Sequence, residues 1–325
     1  MTSTNQQQPD PLSPSADQDP DPWRAITVRG LEMSYAGLHA VRGIDFEVAV
    51  GEVFAFLGPN GAGKTTTVEI LEGFRQRTGG TVSVLGQDPR TAGPDWRARI
   101  GVVLQESEPE PELSVRECLT LYAGYYPDPL PVGEVLELVG LSDRAGSRTA
   151  RLSGGQRRRL DVALALIGDP DLVFLDEPTT GFDPAARRAT WEVIAGLRRR
   201  NKTIFLTTHF MDEAEYLADR IMIIRRGAIV AEGTPATLGG RASAPATIQF
   251  SLPDGLAATE LPAGFTLGGD AASGDRQVRL RSSSPLSDVG GLADWAAGRG
   301  IELPDLQVVR PSLEEIYLGL VADDS

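Results

Sequence analysis

A chain of 325 residues that is 41% hydrophobic and 23% charged has globular composition and the length of two domains, which excludes a fibrous or wholly disordered protein. No apolar run approaches the ~20 residues of a bilayer-crossing helix, and the single cysteine, Cys118, excludes a disulfide framework or a multi-cysteine metal site. The net charge of −14 repels phosphate backbones at long range, so no nucleic-acid partner is expected.

Residues 1–24 are expected to form a disordered tail. The first 22 are rich in Gln, Pro, Asp and Ser and hold Asp10, Asp17, Asp19 and Asp21 with no lysine or arginine. The stretch Met1–Trp23 also lacks the pattern of a secretory signal or transit peptide, so a cytoplasmic location is expected. Alternation predicts strands at Ile26–Val28 and Ile44–Val50. The apolar run Val53–Leu57 predicts a buried strand that stops at a glycine-rich loop. A helix from Thr65 to Phe74, a turn at Gly79-Gly80 and a strand from Thr81 to Leu85 follow, and strands and helices then alternate to about Gly233. Leu113–Leu166 reads as mostly helical, broken by Pro127, Pro129 and Pro131, which suggests a helical insertion in an α/β domain. Beyond Thr234 the composition shifts. Strands at Thr247–Leu252, Gln277–Arg281 and Leu306–Arg310, a helix at Leu286–Arg299 and another from Ser312 predict a small α+β unit. The expected organisation is a tail at 1–24, an α/β nucleotide-binding domain at 25–239 with a helical subdomain at about 106–166, and an accessory unit at 240–325.

Three motifs carry chemistry. Gly58-Pro59-Asn60-Gly61-Ala62-Gly63-Lys64-Thr65 matches the phosphate-binding loop, with a strand before it and a helix after it. Backbone N–H groups would face the phosphates, Lys64 would supply a point charge, and the Thr65 hydroxyl would reach Mg²⁺. Only Lys64 and Lys202 are lysines in a chain with 31 basic residues, which singles out the loop position. Leu172–Leu175 is an apolar strand ending in Asp176-Glu177; one acid can hold Mg²⁺ and the other can polarise water, so Asp176 is the expected metal ligand and Glu177 the expected base. Strand alternation would point the two side chains to opposite faces. Finally, Leu152-Ser153-Gly154-Gly155-Gln156 precedes a helical run beginning at Arg157 and presents free N–H groups and a hydroxyl, either as a second anion-binding element or as an ordinary helix cap.

With these three motifs in this order, the chain resembles the nucleotide-binding subunits of ATP-binding-cassette (ABC) transporters over roughly residues 25–235. The resemblance implies a P-loop NTPase cassette with a helical subdomain, ATP and Mg²⁺ as cofactors, and further site residues. Tyr35 fits the aromatic residue that stacks on adenine, with core packing as the competing reading. Gln105 matches the glutamine that touches Mg²⁺ and water, against a plain loop amide. Thr66 continues the phosphate loop, and Asp183 in Thr180-Gly-Phe-Asp183 falls in the D-loop, with Phe182 where leucine is more usual. His209 in Leu206-Thr-Thr-His209 matches the histidine that contacts the γ-phosphate, whereas His39 reads as a surface residue. Two copies would pair head to tail, with Ser153, Gly154, Gly155, Gln156 and Asp183 of one contacting the nucleotide bound by the other.

The resemblance further implies a separate membrane-spanning permease as partner and a peripheral position on the inner face of the cell membrane. The terminal pattern Arg310-Pro-Ser-Leu-Glu-Glu-Ile-Tyr-Leu318 looks like the extension of drug-resistance, ABC-2-type exporter subunits, including daunorubicin-type ones; an amphipathic terminal helix is the simpler alternative. The expected function is ATP hydrolysis energising export of a small amphipathic compound, such as a drug-like molecule, lipid or glycolipid. A soluble ABC-type ATPase acting on nucleic acid or ribosomes is the alternative. A GTPase fits less well, because Asn201-Lys202 lacks the aspartate of a guanine-reading motif. Four glutamates within Glu106–Glu112 are expected either to receive a basic helix of the permease or to form a solvated loop.

Overall fold

The computed structural model describes residues 23–103, 109–253, 255–268 and 276–322. Strands β1 (Arg24–Tyr35) and β2 (Leu38–Ala49) pair antiparallel across a tight turn at Ala36-Gly37, where both residues have positive φ. A bulge between Val28 and Leu31 in β1 shifts the inward positions from Ile26 and Val28 to Leu31 and Met33. Strand β3 (Val53–Leu57) is buried at all five positions, as a parallel strand covered on both faces must be. The phosphate loop leads from it into α1 (Lys64–Leu71). β4 (Gly79–Val84) pairs antiparallel with β1, so the small sheet runs β2-β1-β4. A short helix α2 (Pro94–Ala98) precedes β5 (Ile100–Val103).

The helical subdomain comprises α3 (Val115–Ala123), α4 (Val132–Leu138) and α5 (Gly154–Leu166). Its apolar faces close on one another through Val115, Leu119, Val135, Leu136 and Leu160, each essentially excluded from water. Cys118 lies in this packing, and burial pushes its thiol up to about 11, so it behaves as a small apolar residue. The chain returns to the main sheet through β6 (Leu172–Asp176), α6 (Pro184–Arg199), β7 (Thr203–Thr208), α7 (Met211–Leu217), β8 (Arg220–Arg225) and β9 (Ala228–Gly233). The strand order is β5-β6-β7-β3-β8-β9, parallel apart from β9.

Alternation along these strands builds two cores. Phe54 and Phe56 of β3, Phe174 of β6 and Phe205 of β7 face the antiparallel sheet, where Phe46 stacks on Phe54 at 5.8 Å and on Phe56 at 5.9 Å. Val53, Val173, Leu175 and Leu206 face the helices instead. This layering carries the carboxyl ends of β3 and β6 to the same edge, where loops of a parallel sheet gather ligands.

The C-terminal unit follows a 3₁₀ turn at Leu238–Ser243 and contains β10 (Ala246–Ser251), β11 (Thr266–Gly268), β12 (Gln277–Ser282), α8 (Pro285–Ala297), β13 (Gln307–Val309) and α9 (Leu313–Val321). Its sheet runs β11-β12-β10-β13, antiparallel throughout, with α8 on one face. The three-residue β11 escapes the sequence reading. The last helix of this unit packs on the nucleotide-binding body rather than on the C-terminal sheet's core. Leu313 of α9 is fully buried against Met211 and Ala214 of α7, Ile223 of β8 and Leu238, with Tyr317 and Leu320 beside it. Burying one such leucine contributes ~2 kcal/mol to holding α9 on the nucleotide-binding body. Gly239 permits the approach: it has φ +57°, and a Cβ there would lie 2.6 Å from Ile316 Cγ2.

Candidate nucleotide site

Gly63 caps α1 with φ 108°, a left-handed conformation, and a Cβ on it would lie 2.6 Å from the Ala40 carbonyl oxygen. Only glycine lets the loop turn here and direct its N–H groups outward from the helix start. Lys64 folds back under the loop; its ammonium donates to the Gly58 carbonyl at 2.6 Å and to the Pro59 carbonyl at 3.2 Å. Burial lowers its pKa, while the charges of Glu177 and Asp176 oppose that shift. Thr65 is exposed at the mouth. A cleft of about 280 Å³ is lined by Asn60, Gly61 and Gly63 of the loop, by Lys64, Thr65 and Thr66 of α1, and by Asp176 and Glu177.

The two acids do not face opposite sides of a strand, as alternation predicted. β6 ends at Asp176, and Glu177 takes φ 46°, a left-handed conformation that costs a non-glycine residue ~1–2 kcal/mol. The turn is held because the Glu177 N–H donates to the Thr207 carbonyl at 3.0 Å and to the Thr207 hydroxyl at 3.1 Å. The same hydroxyl donates to Asp176 Oδ1. Both carboxylates therefore line one cleft. Glu177 Oε2 accepts from the Thr180 hydroxyl at 3.1 Å and lies 3.4 Å from His209 Nδ1.

Tyr35 stands nearby, its hydroxyl 3.3 Å from Thr66 Oγ1, with the Arg75 guanidinium 5.3 Å from the ring centroid. His39 is at the surface, 2.9 Å from Ser34 Oγ. Gln105 lies outside the described residues, as do 106–108 of the acidic stretch. Within the described part of that stretch, Glu112 pairs with Arg148 at 2.8 Å. Ser153, Gly154, Gly155 and Gln156 do not line the cleft. Ser153 caps α5, accepting from the Gln156 N–H at 3.3 Å while Gln156 Oε1 accepts from the Ser153 N–H at 3.1 Å, so the helix begins at Gly154 and not at Arg157. Asp183 caps α6, accepting from the N–H groups of Ala185 and Ala186 at 2.9 Å.

Arg158 and Glu213, both buried and charged, are among the residues that escape the sequence reading. Arg158 of α5 donates to the Asp176 carbonyl at 2.8 Å and the Pro178 carbonyl at 3.3 Å, tying the Ser153-headed helix to the backbone on both sides of Glu177. Burial lowers its pKa, and Asp161, Asp176 and Glu213 oppose that. Glu213 of α7, with no exposure, accepts from the Thr179 hydroxyl at 2.8 Å and Trp191 Nε1 at 2.9 Å. Burial raises its pKa. The run Arg157-Arg158-Arg159 signals a charged helix face without revealing which guanidinium turns inward.

A phosphate loop at the edge of a parallel sheet, with a paired acidic strand end in the same cleft, defines a P-loop nucleotide-binding protein. Residues 41–180 match the ABC transporter family, and residues 246–312 match the C-terminal domain of ABC transporter domain-containing-like proteins. The daunorubicin resistance ATP-binding protein DrrA3 of Streptomyces coeruleorubidus is 36% identical over 313 residues, covering 92% of this chain and 96% of that protein. The Nod factor export ATP-binding protein I of Burkholderia orbicola is 43% identical over 218 residues, covering 66% of this chain and 72% of that protein. Among solved structures, cbiO1 from Clostridium perfringens, part of an ABC transporter complex, is similar with a TM-score of 0.60 and 26% identity, over 66% of this chain and 89% of its own. The chain belongs to the ABC transporter ATP-binding family, and it is an ATPase.

Proposed function

We propose that this chain is the ATP-hydrolysing subunit of an exporter, driving a small amphipathic compound (a drug-like molecule, lipid or glycolipid) through a separate membrane permease. The observation that carries the hydrolytic part is the convergence of Lys64, Thr65, Asp176 and Glu177 on one cleft. The export part is supported by likeness along nearly the whole chain, C-terminal sheet included, to a protein named for daunorubicin resistance. Among the described residues no helix is long and apolar enough to cross a membrane, which fits a division of labour with a permease.

In this reading Lys64 and the loop N–H groups bind the β- and γ-phosphates. The Thr65 hydroxyl and Asp176 carboxylate are hard oxygen donors at one cleft and suit Mg²⁺, with Gln105 as a third ligand. Bound there, Mg²⁺ neutralises phosphate charge. Glu177 accepts the proton of the attacking water, and His209, held beside it, contacts the γ-phosphate. Tyr35 stacks on adenine. Ser153, Gly154, Gly155, Gln156 and Asp183 contact the nucleotide bound by a second copy paired head to tail, on the inner face of the membrane.

Two measurements test the proposal. Glu177→Gln with Mg-ATP is expected to run as a stable dimer in light scattering while hydrolysis falls at least ~100-fold; normal turnover would overturn the role of Glu177. Affinity purification from gently solubilised native membranes is expected to bring down a polytopic protein in stoichiometric amount. Recovery of ribosomes, DNA or nothing would remove the transport reading.

A further inference from the structure

The C-terminal sheet buries one face and leaves the other open. Ile248, Phe250 and Val278 face inward onto Leu292 of α8. By alternation Thr247, Gln249, Arg279 and Arg281 stand on the opposite side, where pairing places Thr247 beside Arg281 and Gln249 beside Arg279. On the far side of β10, Val309 of β13 lies beside Thr247, and Arg310 follows it. These residues line a cleft of about 490 Å³, walled by Pro311 and Glu315 at the start of α9.

The charge of this cleft runs against its surroundings. Residues 240–325 hold twelve acids and six arginines, yet Arg279, Arg281 and Arg310 all meet here. None of the three pairs with a carboxylate among the described residues. Arg279 donates to the Gln277 side-chain oxygen at 3.1 Å and Arg310 to the Ala242 carbonyl, while the Arg281 guanidinium has neither a hydrogen bond nor an ion pair among the described residues. Arg241, close by, does find a carboxylate, Glu215 at 2.7 Å. The one acid on the cleft wall, Glu315, is engaged in the α9 cap, accepting from the Ser312 N–H at 2.8 Å. Arg279 and Arg281 start ~7 Å apart on one strand face, so their like charges repel until an anion sits between them.

We propose that this cleft is a second ligand site, separate from the nucleotide cleft, that binds a phosphate-bearing anion. Guanidinium forks match phosphate oxygens two at a time, and three forks with the Thr247 hydroxyl and Gln249 amide at the floor suit a polyvalent phosphate or phosphate ester. The volume falls in the range of small-ligand sites. Because the cleft joins β12 to the start of α9, its occupant would bridge the C-terminal sheet to the helix that docks on α7. The proposal does not depend on the export reading.

The test uses the full chain saturated with Mg-ADP, so that the nucleotide cleft is filled. Inorganic pyrophosphate is titrated in by calorimetry, and in parallel the protein is sedimented with phosphatidylcholine vesicles that contain or lack phosphatidylglycerol. The double variant Arg279→Gln/Arg281→Gln is compared, with ADP affinity as the control for folding, and Arg310→Gln serves as an independent second variant. The expected result is one additional pyrophosphate site that the variants weaken roughly tenfold or more, at unchanged ADP affinity. Arginine-dependent sedimentation with phosphatidylglycerol vesicles but no pyrophosphate site would also support the cleft and would identify the phosphate as that of a lipid headgroup. Absence of both, or binding that the variants leave unchanged, overturns the proposal.

Discussion

Replacing Glu72 by glutamine should make the protein's stability less dependent on pH, and by a large amount. Glu72 ends α1 with only 9% exposure and no side-chain hydrogen bond among the described residues. Burial, with the charges of Asp176 and Glu69 adding to it, pushes its carboxyl from 4.5 up to about 8. The folded state thus holds a proton that the unfolded chain releases near 4.5. The associated stability is fully present below that value, is lost as pH rises, and levels off above about 8. A displacement of this size corresponds to at most ~5 kcal/mol, and the remaining water contact brings the expectation to ~3–5 kcal/mol. Urea unfolding of wild type and Glu72→Gln at about pH 5 and about pH 8.5 measures the effect. The two proteins should be close in stability at the lower pH, and the variant should be the more stable at the higher. Asp176→Asn should shift the wild-type transition to lower pH, because it removes one of the charges acting on Glu72. A wild-type-minus-variant difference that stays constant across the range would refute the reasoning.

Lys64→Ala should weaken ATP binding at least ~10-fold in a fluorescent-nucleotide titration, since it removes the charge held under the loop. Gly63→Ala should do likewise and also lower the melting temperature, because its Cβ would collide with the Ala40 carbonyl. Arg158→Met should orphan the Asp176 and Pro178 carbonyls, costing ~2–4 kcal/mol in chemical denaturation and slowing hydrolysis more than it weakens ATP binding. Glu213→Gln keeps an oxygen for Thr179 and Trp191 and should stay within ~1 kcal/mol of wild type, whereas Glu213→Ala should lose ~3 kcal/mol or more.

The strand, glycine-rich turn and helix start around Gly58–Thr65 could be read from the chain because that pattern is local in sequence. Val53–Leu57 and the alternating C-terminal strands were legible for the same reason. Local pattern failed where conformation was imposed from elsewhere. Nothing in the type of Glu177 announces a left-handed φ; two hydrogen bonds that its N–H donates to Thr207 of β7, thirty residues on, hold it there. The start of α5 was hidden by Gly154 and Gly155, poor helix formers that the Ser153–Gln156 capping box makes helical. α9 reads correctly as a helix, but its docking on α7 depends on Gly239, some seventy residues upstream. Arg158 and Glu213 were missed because a buried charge is recognised by its partners, and theirs are distant in sequence.

Those distant partners link the elements of the site. From Ser153 the path runs along α5 to Arg158, whose guanidinium grips the backbone on either side of Glu177. Thr179, the next residue after Pro178, donates to Glu213, and Glu213 sits four residues beyond His209 on the segment that carries α7. α7 in turn receives Leu313 of α9. The buried part of this path runs from Arg158 through the backbone at 176–179 to Glu213 and α7, while its ends at Ser153 and His209 are exposed. Buried donors and acceptors of this kind are costly to separate, so these elements should shift together more readily than they part. Arg158 thus anchors α5 to the strained turn at Glu177 that Thr207 also holds. Through Leu313 the C-terminal unit packs on α7, the helix that carries Glu213, although among the described residues it lines no part of the nucleotide cleft.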